Sequence, residues 1–155
     1  MRRLFCLALI ALALPLSSAP PKKAKPGTDE FSIEATVLAV YNVVSGPAGR
    51  RDWNRFKELF VPGGQLVSFE GGTASVMSPD DYATKSKPYF DENGFFQWPV
   101  ETRVDRFRDI AHVTSRYESR YATTDAAPFA RGVAYFELVR SGDRWQVVSM
   151  TWQSQ

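Results

Sequence analysis

Apolar and polar positions follow two periods along this chain, and the switch between them divides it. Ile33, Val37, Val40, Tyr41 and Val44 recur three and four residues apart, which draws one apolar stripe on a helix. Thr28 is placed to cap that helix, with Asp29 and Glu30 at the positive end of its dipole. Ser45-Gly46-Pro47-Ala48-Gly49 stops it and turns the chain. A shorter helix is expected from Asp52 through Phe60, with Asp52 as its cap and Trp53, Phe56, Leu59 and Phe60 on one side. Val61-Pro62-Gly63-Gly64 reads as a break before a strand from Gln65 to Phe69. Glu70-Gly71-Gly72 is a tight turn, and Thr73 to Met77 returns as the second strand of a hairpin.

Ser78-Pro79-Asp80-Asp81 starts a third helix: Ser78 caps, Pro79 fits the first helical position, and Asp81 stands where a capping box wants an acid. That helix carries Tyr82, Tyr89 and Phe90 and ends by Asn93-Gly94, with Pro88 expected to bend or split it. The period then changes to two. Phe96, Trp98, Val100, Thr102 and Val104 are expected on one face of a strand, against Gln97, Glu101, Arg103 and Asp105. Ala111, Val113, Ser115 and Tyr117 oppose His112, Thr114, Arg116 and Glu118 in the next. A polar connection over 122–131 leads to Val133–Arg140 and Trp145–Trp152, joined across Ser141-Gly142-Asp143. Helices gathered ahead of most of a sheet predict an α+β fold. A twisted antiparallel sheet bent around those helices leaves a concave pocket.

Residues 1–19, MRRLFCLALIALALPLSSA, read as a signal peptide: Arg2 and Arg3, an apolar run from Leu4 to Leu16, then small residues at Ser17-Ser18-Ala19. Pro20 follows the expected cut directly, a poor fit for processing, so an uncleaved N-terminal membrane anchor or a buried helix is the alternative. Residues 20–27 form a Pro/Lys-rich spacer, with Lys22, Lys23 and Lys25 in it, and the domain is expected over 28–155. Of 19 basic residues two leave with the signal and of 17 acidic residues none does, so the net charge of +2 becomes zero. That balance argues against nucleic acid, which basic patches bind by counterion release. The expected setting is periplasmic or secreted, with no stable membrane association once the signal is removed. The single cysteine, Cys6, also lies in the signal, leaving no disulfide or thiolate metal site beyond it. A remainder of about 130 residues buries roughly two thirds of its unfolded surface, enough for one unstapled core. The 11 Phe, 6 Tyr and 4 Trp of the sequence make that core rich in rings.

Four segments carry a family resemblance: FSIEATVLAVYNVVSG, RDWNRFKELFVPGGQLVSF, IAHVTSRYESR and the closing GDRWQVVSMTW. Together they resemble the NTF2-like superfamily, specifically its SnoaL-like branch, over residues 31 to 154. The resemblance implies a cone in which a curved antiparallel sheet wraps about three N-terminal helices. Members include isomerases, dehydratases, hydrolases, cyclases and noncatalytic binding or assembly domains, so the scaffold does not carry a chemistry with it. In the ketosteroid-isomerase-like members an aspartate base ends the strand after the second helix. Ser68 stands at that place here, with Glu70 two residues on. Serine cannot act as that carboxylate.

Candidate site residues divide accordingly. Tyr41, Trp53, Trp98, Tyr117, Tyr135 and Trp152 are candidates to surround a partly apolar ligand and orient it by OH or NH groups, with core packing as the alternative for each. Arg131, beside Gly132, offers an anion-binding fork. Glu70 and His112 are the acid/base candidates if the protein is an enzyme. His112 shares a strand side with Arg116 and Glu118, and since Ala111-Val113-Ser115-Tyr117 reads as the interior, that side is expected to be an outer face or a subunit contact, with a polar place in the pocket as the alternative. One histidine and scattered carboxylates make no metal cluster. No cofactor is expected. The leading expectation is a small-molecule-binding domain; the alternatives are an isomerase, dehydratase or hydrolase, and a noncatalytic homodimeric interaction domain. A broad exposed sheet face also fits a homodimer.

Overall fold

The computed structural model describes residues 29–155, with side chains from Ser32 onward. The expected signal, the spacer and the Thr28 cap lie outside the described residues. Helix α1 (Asp29–Val44) buries the stripe read from its sequence: Ile33, Val37, Val40, Tyr41 and Val44 are each at most 4% exposed. Helix α2 (Trp53–Glu58) starts on Asp52, whose carboxylate accepts from the Arg55 amide at 3.0 Å. It ends earlier than the sequence suggests. Phe60 already belongs to strand β1 (Phe60–Glu70) and pairs with Val147. Val61-Pro62-Gly63-Gly64 therefore lies inside the strand instead of breaking the chain before it. The register shifts between Phe60 and Gln65, and Gly63 takes a φ of 81°, a left-handed conformation that glycine adopts without steric cost.

The β1–β2 hairpin is completed by β2 (Thr73–Met77), and helix α3 (Pro79–Glu92) follows. Its capping box closes as read: the Asp81 amide donates to Ser78 Oγ at 3.1 Å, and the Ser78 amide donates to Asp81 Oδ2 at 3.3 Å. Pro88 sits within one continuous helix and does not split it. Strands β3 (Phe96–Phe107), β4 (Ile110–Arg120), β5 (Ala130–Ser141) and β6 (Arg144–Ser154) complete a single curved six-stranded sheet in the order β2-β1-β6-β5-β4-β3. Every pairing is antiparallel except β1 with β6. A parallel pair needs a long connection between its strands, and α3 with the three strands after it supplies one. Because β1 and β6 run in the same direction, Ser68 lies beside Trp152 at one end of the cone.

Period-two alternation then divides the sheet. Ala111, Val113, Ser115, Tyr117 and Ser119 of β4, and Ala134, Phe136 and Leu138 of β5, are all buried on the concave side, where α1 packs. Strand β3 obeys the alternation in two halves only. Pro99 pairs with Tyr117, but the next partner, Arg116, faces Glu101, so Val100 is an extra residue in a bulge. Thr102 and Val104 point inward as expected, whereas on the other side of the bulge Gln97 and Pro99 share the inward face and Phe96 and Trp98 share the outer one. The expected single face running from Phe96 to Val104 is thus broken in the middle.

Candidate functional site

The open end of the cone holds a cavity of about 750 Å3 between α3, the C-terminal end of α1 and the inner face of the sheet. Its first wall is aromatic. Phe56 stacks on Tyr82 with ring centroids 5.3 Å apart, and Tyr82 meets the Trp152 edge at 5.9 Å. Phe90 packs on Phe95 at 5.1 Å, and Phe95 in turn on Phe129 at 6.1 Å. Helical spacing explains α3's share, because Tyr82, Ser86, Tyr89 and Phe90 lie on neighbouring turns of one face. Tyr89, Phe129 and Tyr121 stay well exposed at the mouth, and Tyr121 stacks on Phe129 at 4.2 Å.

The second wall is polar and uncharged. Gln97 Nε2 donates to Ser119 Oγ at 3.0 Å, and the Tyr117 hydroxyl lies 2.9 Å from Ser154 Oγ. Ser119 is 2% exposed. Gly132 makes room for the tyrosine: a Cβ there would come within 2.4 Å of both the Tyr117 hydroxyl and the Gln153 carbonyl oxygen. Charge enters only at the exposed rim, where Glu70 closes β1 and Lys85 extends from α3. Burial pushes the Tyr82 hydroxyl up to about 12, despite its hydrogen bond with Ser86, and raises that of Tyr117 as well. Both phenols stay neutral at physiological pH, so the cavity presents hydroxyl and amide groups without a buried charge.

The residues singled out in the sequence separate into three places. Tyr117 and Trp152 line the cavity, and Glu70 stands on its rim. Tyr41 belongs to the packed interior, and Trp53, partly buried, packs against it. Tyr41 is fully buried and donates to Ser115 Oγ at 2.9 Å, a hydrogen bond that satisfies a hydroxyl whose ionisation burial strongly opposes. Trp53 packs edge-on against Phe56. Trp98, His112, Arg131 and Tyr135 lie on the outer face. For Trp98 this reverses the inward placement expected, and the Val100 bulge is the cause. Arg131 is held by Glu118, its Nε donating to Oε1 at 2.9 Å, and Arg120 shares the same carboxylate while lying over the Trp98 ring. His112 finds Glu137 on the neighbouring strand, Nδ1 to Oε1 at 2.6 Å, in place of Arg116 or Glu118 on its own, and stacks on Tyr135. Tyr135 also borders a smaller groove of about 410 Å3 on this outer side, together with Phe69 and Thr151.

Gln97, Ser119 and Lys85 were not singled out by their sequence. Pro99 was the available signal for Gln97, because a proline inside a strand marks an edge or a bulge, and β3 is an edge strand with its bulge beside Pro99. Among the described residues, no group of three or more His, Cys, Asp or Glu could hold a metal ion, and no helix is long and apolar enough to cross a membrane.

This arrangement of helices packed on a curved sheet is shared with many solved structures. A protein of unknown function with a cystatin-like fold from Nostoc punctiforme superposes with a TM-score of 0.67 at 10% identity, covering 82% of this chain and 91% of that one. An NTF2-like family protein from Streptomyces avermitilis, provisionally described as a dehydratase, gives 0.65 at 15% identity over 84% and 99%. A Shewanella frigidimarina protein with a provisional description as a ketosteroid isomerase gives 0.57 at 18% over 78% and 94%. No family model and no curated protein matches the chain. The chain therefore has the NTF2-like, cystatin-like fold. The resemblance read from its sequence is borne out at that level.

Proposed function

We propose that the protein binds a small, largely apolar, ring-bearing molecule in the cavity at the open end of the cone. One observation carries the reading: a cavity of about 750 Å3 with rings on one wall and paired neutral polar groups on the other. Pockets of this size and mixed lining suit small organic ligands. An interior without a charged side chain favours binding over acid-base turnover, since Glu70 and Lys85 stand only at the rim. Bicyclic aromatic compounds screened by calorimetry test it. Binding in the micromolar range that Ser154→Trp abolishes, with the fold intact by circular dichroism, is the expected result. A folded protein that binds none of a broad panel would sink the reading.

Catalysis of the isomerase, dehydratase or hydrolase kind is the second reading. It is favoured by Glu70, which follows Ser68 on β1 and borders the same cavity. It requires turnover that Glu70→Gln removes while ligand affinity survives. His112, on the outer face and bound to Glu137, lies outside the cavity such chemistry would use. We assign the protein further to an exported setting, on the strength of residues 1–19, and to a homodimer formed through the outer sheet face, where Phe69, Val76 and Tyr135 are 40%, 60% and 47% exposed. N-terminal sequencing of exported protein tests the first. Sedimentation at several concentrations tests the second, and a monomer at every concentration rules it out.

A further inference from the structure

We infer that Gln97 is the specificity residue of the cavity and that it selects a ligand bearing a neutral hydroxyl. This rests on the ligand-binding reading above and goes further, because it says which polar function the ligand carries and which side chain recognises it.

The bulge at Val100 is what brings Gln97 inside. With unbroken alternation, the inward positions Thr102 and Val104 would put Trp98 in the cavity and Gln97 on the outer face. The extra residue exchanges them, and bulges recur beside functional sites because they re-aim a side chain in this way. The residue so turned is also fixed in place. Its backbone amide donates to Ser45 Oγ at 2.9 Å and its carbonyl accepts from the same hydroxyl at 3.0 Å, which ties β3 to the end of α1. Its side-chain amide reaches Ser119, a residue 2% exposed on the neighbouring strand. One end of the Gln97 carboxamide is thereby occupied. The other, Oε1, has no hydrogen-bond partner among the described residues and belongs to a side chain that lines the cavity.

The chemistry of the free end defines the ligand. A hydroxyl donates and accepts, so it satisfies the open end of the carboxamide in either orientation of the amide. A carboxylate placed there would be buried without a counter-charge, since Lys85 stands at the rim, and the cost of burying an unpaired ion is prohibitive. An entirely apolar ligand would leave the free acceptor dry and unpaired.

Equilibrium dialysis of the folded protein against naphthalene, 2-naphthol and 2-naphthoate tests this. In the native protein 2-naphthol binds several-fold to about tenfold more tightly than naphthalene, the worth of one hydrogen bond. In Gln97→Leu that advantage disappears, with 2-naphthol binding more weakly and naphthalene more tightly than in the native protein, a crossing of affinities that a merely structural role for Gln97 would not produce. Ser119→Ala leaves the carboxamide present but unpinned, shrinks the advantage, and decides the matter if the leucine variant does not fold. A hydroxyl preference that survives both substitutions overturns the inference, as does tightest binding of 2-naphthoate that depends on Lys85. If 2-naphthol and naphthalene bind equally well, the ligand-binding reading stands and the role of Gln97 falls. If none of the three binds, the ligand-binding reading fails and this inference with it.

Discussion

The two faces of the sheet use similar side chains in opposite ways. On the inner face Tyr117 is 2% exposed and its hydroxyl meets Ser154; on the outer face Tyr135 is 47% exposed and lies flat on His112. Inside, polar groups pair as neutral hydroxyls and amides: Tyr41 with Ser115, Gln97 with Ser119. Outside, they pair as ions: Glu118 with Arg120 and Arg131, Glu101 with Arg103 and Arg116, His112 with Glu137. The difference follows from water. Removing a charge from solvent costs far more than removing a hydroxyl, whereas exposed ion pairs cost little and contribute little. Full burial of polar side chains is therefore kept for groups satisfied without charge, Ser115 and Ser119 among the described residues, while the paired Arg120 and Glu118 keep 16% and 18% of their side chains exposed.

Substitutions of adjacent residues on β5 test the contrast most strongly. Phe136→Ala empties a fully buried site and is expected to cost about 3–5 kcal/mol, while Tyr135→Ala next to it should cost less than about 1 kcal/mol. Urea denaturation measures both, and near-equal costs would erase the distinction between the faces. Deleting Val100 attacks the exchange of faces itself. Restored alternation forces Trp98 toward the cavity and Gln97 outward, at roughly 2–3 kcal/mol. A shortened strand that kept its stability and its hydroxyl preference would contradict the role given to the bulge. Gly132→Ala sets a Cβ against Tyr117 and the Gln153 backbone, and about 1–3 kcal/mol of overpacking is expected, together with weaker ligand binding.

Solution pH should separate the faces with the smallest effects. The inner tyrosines have folded-state pKa values raised by burial, Tyr82 to about 12, so their contribution is present below the ordinary tyrosine value and lost as pH rises through the folded one. Glu118 behaves oppositely. The hydrogen bond from Arg131, helped by Arg120, lowers its pKa, so its contribution is present above the ordinary glutamate value and lost as pH falls through the folded one. Glu118→Gln should flatten the acid side of the stability profile and leave the alkaline side unchanged, as read by thermal melts across pH. A shift on the alkaline side would mean that the two faces are coupled.

Much of this architecture was legible in the residues, and the exceptions among the strands share one physical origin. The α1 stripe, the Asp52 cap and the Ser78–Asp81 capping box depend on neighbours a few positions apart, so local patterning contains them. Both strand errors arose where a strand departs from strict pairing: Val61-Pro62-Gly63-Gly64 in β1 and Val100 in β3. A bulge adds one residue and inverts every side chain on one side of it, yet its cause lies partly in a partner strand that local patterning does not contain. Trp98 and Gln97 exchanged places for that reason. Tyr41 was separated from the cavity by tertiary packing alone, since its position on the α1 stripe suits core and pocket equally.

The single parallel pairing also governs how the molecule must assemble. The β1–β2 hairpin joins the remainder of the sheet only through β6, bringing Leu66 beside Met150 across most of the domain's length. Strands β3 to β6 are antiparallel neighbours in sequence and can zip up by short loop closures, whereas the β1–β6 seam must first overcome the entropy of a long one. Residues on both sides of that seam line the cavity: Leu66 and Ser68 on β1, Met150 and Trp152 on β6. Loop-closure entropy thus favours forming the antiparallel half ahead of the seam that encloses the binding space, which ties the completion of the interior to the most distant pairing in the chain.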